Sequence, residues 1–252
     1  MAKQAHTDSP ALVLIGTIGT DAGIWRRLAD ELDATSFVVT VDLPGHGSAP
    51  PISGTGRMGA LITAVETALD DAGVREAVVL GHGVGGLVAQ GLAVKRLDLV
   101  RGLILSATAA RIGFSGHWTR LAHGLRDIGP EALVSTAAAT WLPKGTDPEY
   151  VAAMIRRQSA KAMAQAAEAA AGSDFYTTTA TLRLPTLALV GSLDHVTPPD
   201  LVRETAALVP GSDVQIITGA GHLSMLDQPE PYASAVRGFL DRIGHTAPRA
   251  SP

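Results

Sequence analysis

The chain has 252 residues, 46% hydrophobic and 17% charged, near the upper size that one hydrophobic core serves. Twenty Lys and Arg against 24 Asp and Glu leave a formal charge of −4, which excludes a basic surface able to track a phosphate backbone, so no nucleic-acid partner is expected. The lack of cysteine excludes disulfides, thiolate metal sites and a cysteine nucleophile.

The opening MAKQAHTDSP has no apolar run of the kind a secretory signal needs. Residues 77–94 carry no Asp, Glu, Lys or Arg, but five glycines, His82 and Gln90 interrupt them. A buried strand-turn-helix fits this stretch better than a membrane span. The expectation is a soluble, cytoplasmic protein with no membrane partner.

In chain order, ALVLIG (11–16), SFVVTVD (36–42), EAVVLG (76–81), GLILSA (102–107), PTLALVG (185–191) and DVQIIT (213–218) read as strands. Each is a nearly continuous apolar run, as expected where helices cover both faces of a parallel sheet. Met58, Leu61, Ile62, Val65, Leu69 and Ala72 form a helical stripe closed by Gly73. Thr197-Pro198-Pro199-Asp200 reads as a capped helix start, with Thr197 as cap. Tyr232, Val236, Leu240 and Ile243 line a last helix, and the HTAPRASP tail after Gly244 is expected to fray. This alternation predicts an α/β fold with a doubly wound, mostly parallel sheet.

The alternation breaks once. Residues 111–183 show no strand, only helical sequence carrying Trp118, Trp141, Tyr150, Phe175 and Tyr176. They predict an inserted helical lid over the C-terminal ends of the strands, where such sheets bind ligands; the core is then 1–110 with 184–252. Trp118 and Trp141 are the candidate substrate-contacting side chains. The AMAQAAEAAAG stretch (162–172) reads simply as a strong helix former.

Gly81-His82-Gly83-Val84-Gly85-Gly86 matches G-x-G-x-x-G after a strand and before a helix. A dinucleotide site would also need an acidic residue at the end of the following strand. That strand ends in Ser106 and Ala107, and Asp98 comes too early. The motif moreover follows the third strand, not the first. No cofactor is expected, and no His, Asp or Glu cluster has metal-ligand spacing.

Strand, small-residue turn and helix also make the G-x-S-x-G nucleophile elbow. With Gly81 and Gly85 flanking, the nucleophile position falls on Gly83. Asp194, after a strand in GSLDHVTPP, and His222, after the last strand in GAGHLSMLDQP, follow in the chain order that arrangement uses. The segments IGTIGTDAGIW (15–25), VDLPGHGSAP (41–50), VVLGHGVGG (78–86), SATAARIG (106–113), TWLP (140–143), LVGSLDHVTPP (189–199) and GAGHLSMLDQPE (219–230) together resemble the α/β-hydrolase superfamily, within it the 3-oxoadipate enol-lactonase-like group. The resemblance implies Asp194 as acid, His222 as base, and an oxyanion hole from the backbone N–H groups of Ile18 and Val84. It also implies a small-molecule ester, lactone or ring compound as substrate.

The chain departs from that family in three places. Ten N-terminal residues leave little room for the usual two-stranded ribbon, and Thr140 stands where relatives often carry Arg before the lid tryptophan. Glycine replaces the nucleophilic serine. Three readings of Gly83 stay open: a hydrolase inactivated, or engineered to trap its substrate; a natural enzyme using His222–Asp194 as a general base without a nucleophile; and a non-catalytic small-ligand-binding protein. Ser106, Ser192 and Ser224 are not at the elbow and are not promoted to nucleophile. His46 reads as a turn hydrogen-bonder and His82 as a packing residue. His117, Arg120 and His123 read as a solvated helix face rather than a carboxylate site.

Overall fold

The computed structural model describes residues 11–32, 36–143 and 146–245. The first ten residues, where a ribbon would have to fit, and the tail from Thr246 lie outside these. Six strands form one parallel sheet: β1 (Ala11–Ile15), β2 (Phe37–Val41), β3 (Ala77–His82), β4 (Val100–Ser106), β5 (Thr186–Gly191) and β6 (Asp213–Ile217), in the order β2-β1-β3-β4-β5-β6. Each lies within two residues of its expected position. Strands β1, β3 and β5 are buried throughout, as is β4 except at Arg101. The expectation that every strand is covered on both faces fails for β2 and β6. They are the two sheet edges, where Thr40 and Ile216 reach solvent.

From β1 the chain runs outward to β2, then crosses back to start β3 on the other side of β1. Winding direction therefore reverses between β1 and β3, and a crevice opens beyond their C-terminal ends. Ile15 pairs with Gly81 at that point, so the turn beginning at Gly16 and the turn at Gly83 leave the sheet side by side.

The core helices are α1 (Arg26–Leu32), α2 (Met58–Asp71) and α3 (Val84–Lys95). The stripe Leu61, Ile62, Val65 and Leu69 of α2 is buried, and Gly73, at φ +72°, turns the chain out of the helix as expected. Between β4 and β5 come α4 (Ser115–Asp127), α5 (Glu131–Thr140), α6 (Glu149–Arg156), α7 (Ala160–Ala171) and α8 (Tyr176–Ala180), and after β5 come α9 (Pro199–Ala207), α10 (Ser224–Asp227) and α11 (Pro229–Arg242). No described helix is long and apolar enough to cross a membrane. The expected fraying after Gly244 does not extend to His245. Its ring is buried, with Nε2 lying 2.8 Å from the Ala11 carbonyl and 3.3 Å from the Val78 N–H.

The alanines of α7 serve more than helix propensity. Eight of its residues, Ala162, Met163, Ala164, Gln165, Ala166, Ala167, Ala169 and Ala170, are buried, and α7 packs on α4 and α2. Small side chains let its backbone lie against the loop before α2. There Gln165 donates to the Gly54 carbonyl at 2.6 Å, and a Cβ on Gly56 would stand 1.8 Å from the Gln165 carbonyl oxygen. Neither backbone can shift without drawing α7 away from that loop. Gly56→Ala is therefore expected to destabilise the fold by about 1–3 kcal/mol, read as a fall in melting temperature; an unchanged melt would mean that this contact is not close.

Candidate active site

The turn after β1 is locked on itself. Thr20 Oγ1 accepts from the Thr17 N–H at 3.0 Å and donates to the Thr17 carbonyl at 2.8 Å. Beside it, Gly83 takes φ +53° and ψ −119° between β3 and α3, a conformation that strains any residue with a Cβ. Its N–H donates to Ser106 O at 3.0 Å, and its carbonyl accepts from the Thr108 hydroxyl at 2.7 Å and the Gly86 N–H at 2.9 Å.

Asp194 follows β5 and is buried. Its Oδ1 accepts from the Val196 and Thr197 N–H groups at 2.8 and 3.0 Å, and its Oδ2 from the Thr197 hydroxyl at 2.7 Å. Thr197 thus does not cap the next helix, as the sequence suggested. Asp194, three residues upstream, claims its hydroxyl, and α9 begins at Pro199 behind Pro198 without a side-chain cap. His222 Nδ1 lies 2.9 Å from Asp194 Oδ2, which holds the ring and turns Nε2 toward Gly83. A Cβ on Gly83 would stand 3.6 Å from that Nε2. The His222 N–H donates to the Trp141 carbonyl at 2.8 Å, tying the histidine loop to the end of α5.

Burial pushes the Asp194 carboxyl up, but the facing His222 and the hydrogen bonds from His222 and Thr197 outweigh it and hold its pKa at about 2. Beneath His222 lies His82, whose ring centroid is 4.8 Å away. Its Nδ1 meets Ser106 Oγ at 3.1 Å, and the Tyr232 hydroxyl donates to the same oxygen at 2.8 Å. Burial first, and the nearby His222 second, hold His82 well below the ordinary histidine range. It packs as expected. His46 is buried too, with Nδ1 at 3.2 Å from the Pro44 carbonyl, consistent with a turn role, and burial lowers its pKa. Ser192 Oγ accepts from the Gly219 N–H.

A cavity of about 220 Å³ opens on Gly83, Val84, Ile18 and His222, with Trp118 and Trp141 in its wall. Among the described residues no Arg or Lys lines it. Six of the seven residues singled out for the site therefore border one pocket, and Asp194 lies behind His222. Thr17, Phe114 and His195 are among the further residues that reach it. The residues expected on a solvated face, His117, Arg120 and His123, are all exposed, Arg120 lying 5.5 Å over the Phe114 ring; His117 also borders the cavity beside Trp118 and Leu121. One expected oxyanion donor is engaged: the Val84 N–H donates to Thr17 Oγ1 at 3.1 Å. The Ile18 N–H has no protein acceptor among the described residues.

A sequence profile of the alpha/beta hydrolase family matches residues 12–235, nearly the whole described chain. The chain belongs to the alpha/beta hydrolase family. This alpha/beta hydrolase is 28% identical over 248 residues to 3-oxoadipate enol-lactonase 2 of Acinetobacter baylyi, covering 96% of this chain and 92% of that protein. It is 30% identical over 244 residues to a pimeloyl-[acyl-carrier protein] methyl ester esterase of Edwardsiella ictaluri, covering 91% and 93%. Among solved structures, the enol-lactonase from Burkholderia xenovorans superposes with a TM-score of 0.85 at 26% identity, covering 94% of both chains.

The buried histidines set a pH dependence of stability. Burial lowers His46 and His82 in the fold, whereas in the unfolded chain they take up protons below the ordinary histidine value of 6.5. The unfolded state then binds more protons, so stability falls as pH drops below that value, by up to about 1.4 kcal/mol per pH unit for each fully neutral histidine. Melting temperatures measured between pH 7.5 and 5 are expected to decline, and His82→Gln to flatten the decline. The Asp194 contribution runs separately: it persists to about pH 4 and is lost as pH falls through 2.

Proposed function

We propose that this alpha/beta hydrolase cleaves a small ester or lactone without a covalent intermediate, His222 acting as general base on water and Asp194 holding it. The observation that carries the reading is a buried, Asp194-anchored His222 whose Nε2 faces a pocket floored by a residue with no side chain. Nε2 takes a proton from water as the water oxygen bonds to the carbonyl carbon and the carbonyl π pair moves to oxygen. Donors at the turn after β1 hold that oxyanion. The intermediate collapses, the carbon–oxygen bond to the leaving alcohol or enol breaks, and His222 returns the proton to the leaving oxygen. Water and ester become acid and alcohol, and an enol-lactone becomes a keto acid.

The cavity is smaller than the roughly 300–1,000 Å³ of drug-sized ligand sites, which suits one ring or a short acyl chain. Its apolar walls, Trp118 and Trp141 among them, suit a hydrocarbon or aromatic-derived body. The names of the relatives place esters and lactones in the same family. The spacing at Gly83 favours this reading over a hydrolase emptied by one exchange: a Cβ there would stand 2.9 Å from Thr17 Cβ, closer than real side chains approach. The surroundings fit a glycine. Its turnover is expected to be modest, since serine hydrolases stripped of their nucleophile retain only roughly 10³–10⁴ over water.

The test is turnover of a panel of para-nitrophenyl esters and aryl enol-lactones, with mass spectrometry of the protein during the reaction. His222→Ala is expected to fall to the uncatalysed rate and Asp194→Asn to lose roughly 10²–10⁴ in kcat, with no acyl adduct at any time. An adduct, or full activity in His222→Ala, overturns the proposal.

A further inference from the structure

Thr17 stands where the side chain of residue 83 would be. A Cβ built on Gly83 would lie 2.4 Å from Thr17 Oγ1 and 2.9 Å from Thr17 Cβ, so a threonine at 17 and any side chain at 83 exclude one another. The two residues form a matched pair. Rotating the threonine does not relieve the second contact, because Cβ moves only with the backbone, and that backbone is fastened by Thr20 at both Thr17 N–H and Thr17 O.

The hydroxyl is also directed. Val84 is the first residue of α3, where backbone N–H groups have no partner within the helix and the dipole is positive. Its N–H donates to Thr17 Oγ1, and a β-branched side chain holds few rotamers. With that lone pair engaged, the hydroxyl proton remains to be given away. Among the described residues it meets no acceptor, and Thr17 borders the cavity beside Ile18. A hydroxyl that accepts from a helix N-terminus is polarised into a stronger donor. No hydrogen bond joins Thr17 to His222, the contact a nucleophile would need.

We infer that the Thr17 hydroxyl replaces the Val84 N–H as the second donor of the oxyanion site, so that a carbonyl or enolate oxygen of the substrate is held between Ile18 N–H and Thr17 Oγ–H. The inference rests on the base-catalysed reading above and makes Thr17 a catalytic residue of it: the site trades a nucleophile for an electrophilic donor. Thr17 gives no proton away in net terms; it strengthens its hydrogen bond as charge grows on the oxygen and relaxes when the carbonyl re-forms.

The test uses para-nitrophenolate as an oxyanion probe, titrated by absorbance against the full chain, with para-nitroanisole as the uncharged control of the same shape. Thr17→Val keeps the volume and removes the hydroxyl. It is expected to weaken phenolate binding by at least about tenfold, the loss of one hydrogen bond to a charged oxygen, while anisole binding is unchanged. Thr17→Ser is expected to bind phenolate within about twofold of the parent, and to keep turnover that Thr17→Val loses in kcat rather than KM. Unchanged anisole binding establishes that Thr17→Val is folded. Phenolate binding that survives in Thr17→Val overturns the donor role and leaves the base reading standing, and an acyl adduct on Thr17 overturns it in favour of a nucleophile. Turnover that survives in His222→Ala overturns the base reading whatever Thr17 does. The matched pair has its own readout: Gly83→Ser alone is expected to lower the melting temperature by about 3–8 °C and form no acyl adduct, whereas Gly83→Ser with Thr17→Gly forms one. A single Gly83→Ser that acylates at full stability refutes the pairing.

Discussion

The pocket depends on how closely the turn after β1 approaches the turn after β3. Those strands are neighbours that leave the sheet in opposite winding directions, so their loops face each other across the crevice. Glycines let them close. A Cβ on Gly85 would lie 2.2 Å from the Gly16 carbonyl, and one on Gly81 would lie 2.4 Å from the Gly85 carbonyl. The start of α3 is thereby pressed against the end of β1, which carries the first N–H of the helix to Thr17. The G-x-G-x-x-G pattern has its physical explanation here. Its glycines answer to strand–helix contact, which a pyrophosphate loop shares, and the match to a dinucleotide fingerprint follows from that common demand.

What could be read in the sequence was what local pattern carries. Buried parallel strands are continuous apolar runs, so all six were visible, and Asp194 and His222 stood out because each follows such a run in a turn. Edge exposure of β2 and β6 was not visible, because nothing within SFVVTVD or DVQIIT says which strand lies outermost. Thr17 was invisible for a stronger reason. Its partners, Gly83 and Val84, are distant in the chain, and only the return crossover from β2 to β3 brings them together. Thr197 misled in the opposite way: a threonine before two prolines has every local mark of a cap, and a carboxylate three residues earlier bonds it instead. The alanines of α7 told of helix propensity and not of the backbone contact at Gly56 they permit.

The electrostatics of the pocket floor follow from its burial. His82, Ser106 and Tyr232 form a chain beneath His222 in which no member carries charge: burial lowers the imidazole and pushes the Tyr232 phenol up. Asp194 is ionised, fixed by three donors besides His222. Behind His222 stands the Asp194 carboxylate and below it a neutral bed, which holds no anion to draw a proton away from the pocket side of the ring.

The bond from the His222 N–H to the Trp141 carbonyl ties two parts of the chain that the sheet itself does not connect. Gly221 makes the junction tight, since a Cβ there would lie 2.6 Å from the same carbonyl. The helices between β4 and β5 supply the pocket wall, and Trp141, where α5 ends, is also the strut of the histidine loop. The wall that shapes the pocket and the backbone that aims the imidazole therefore bear on one carbonyl, and the fit of a ligand against the one is transmitted directly to the other.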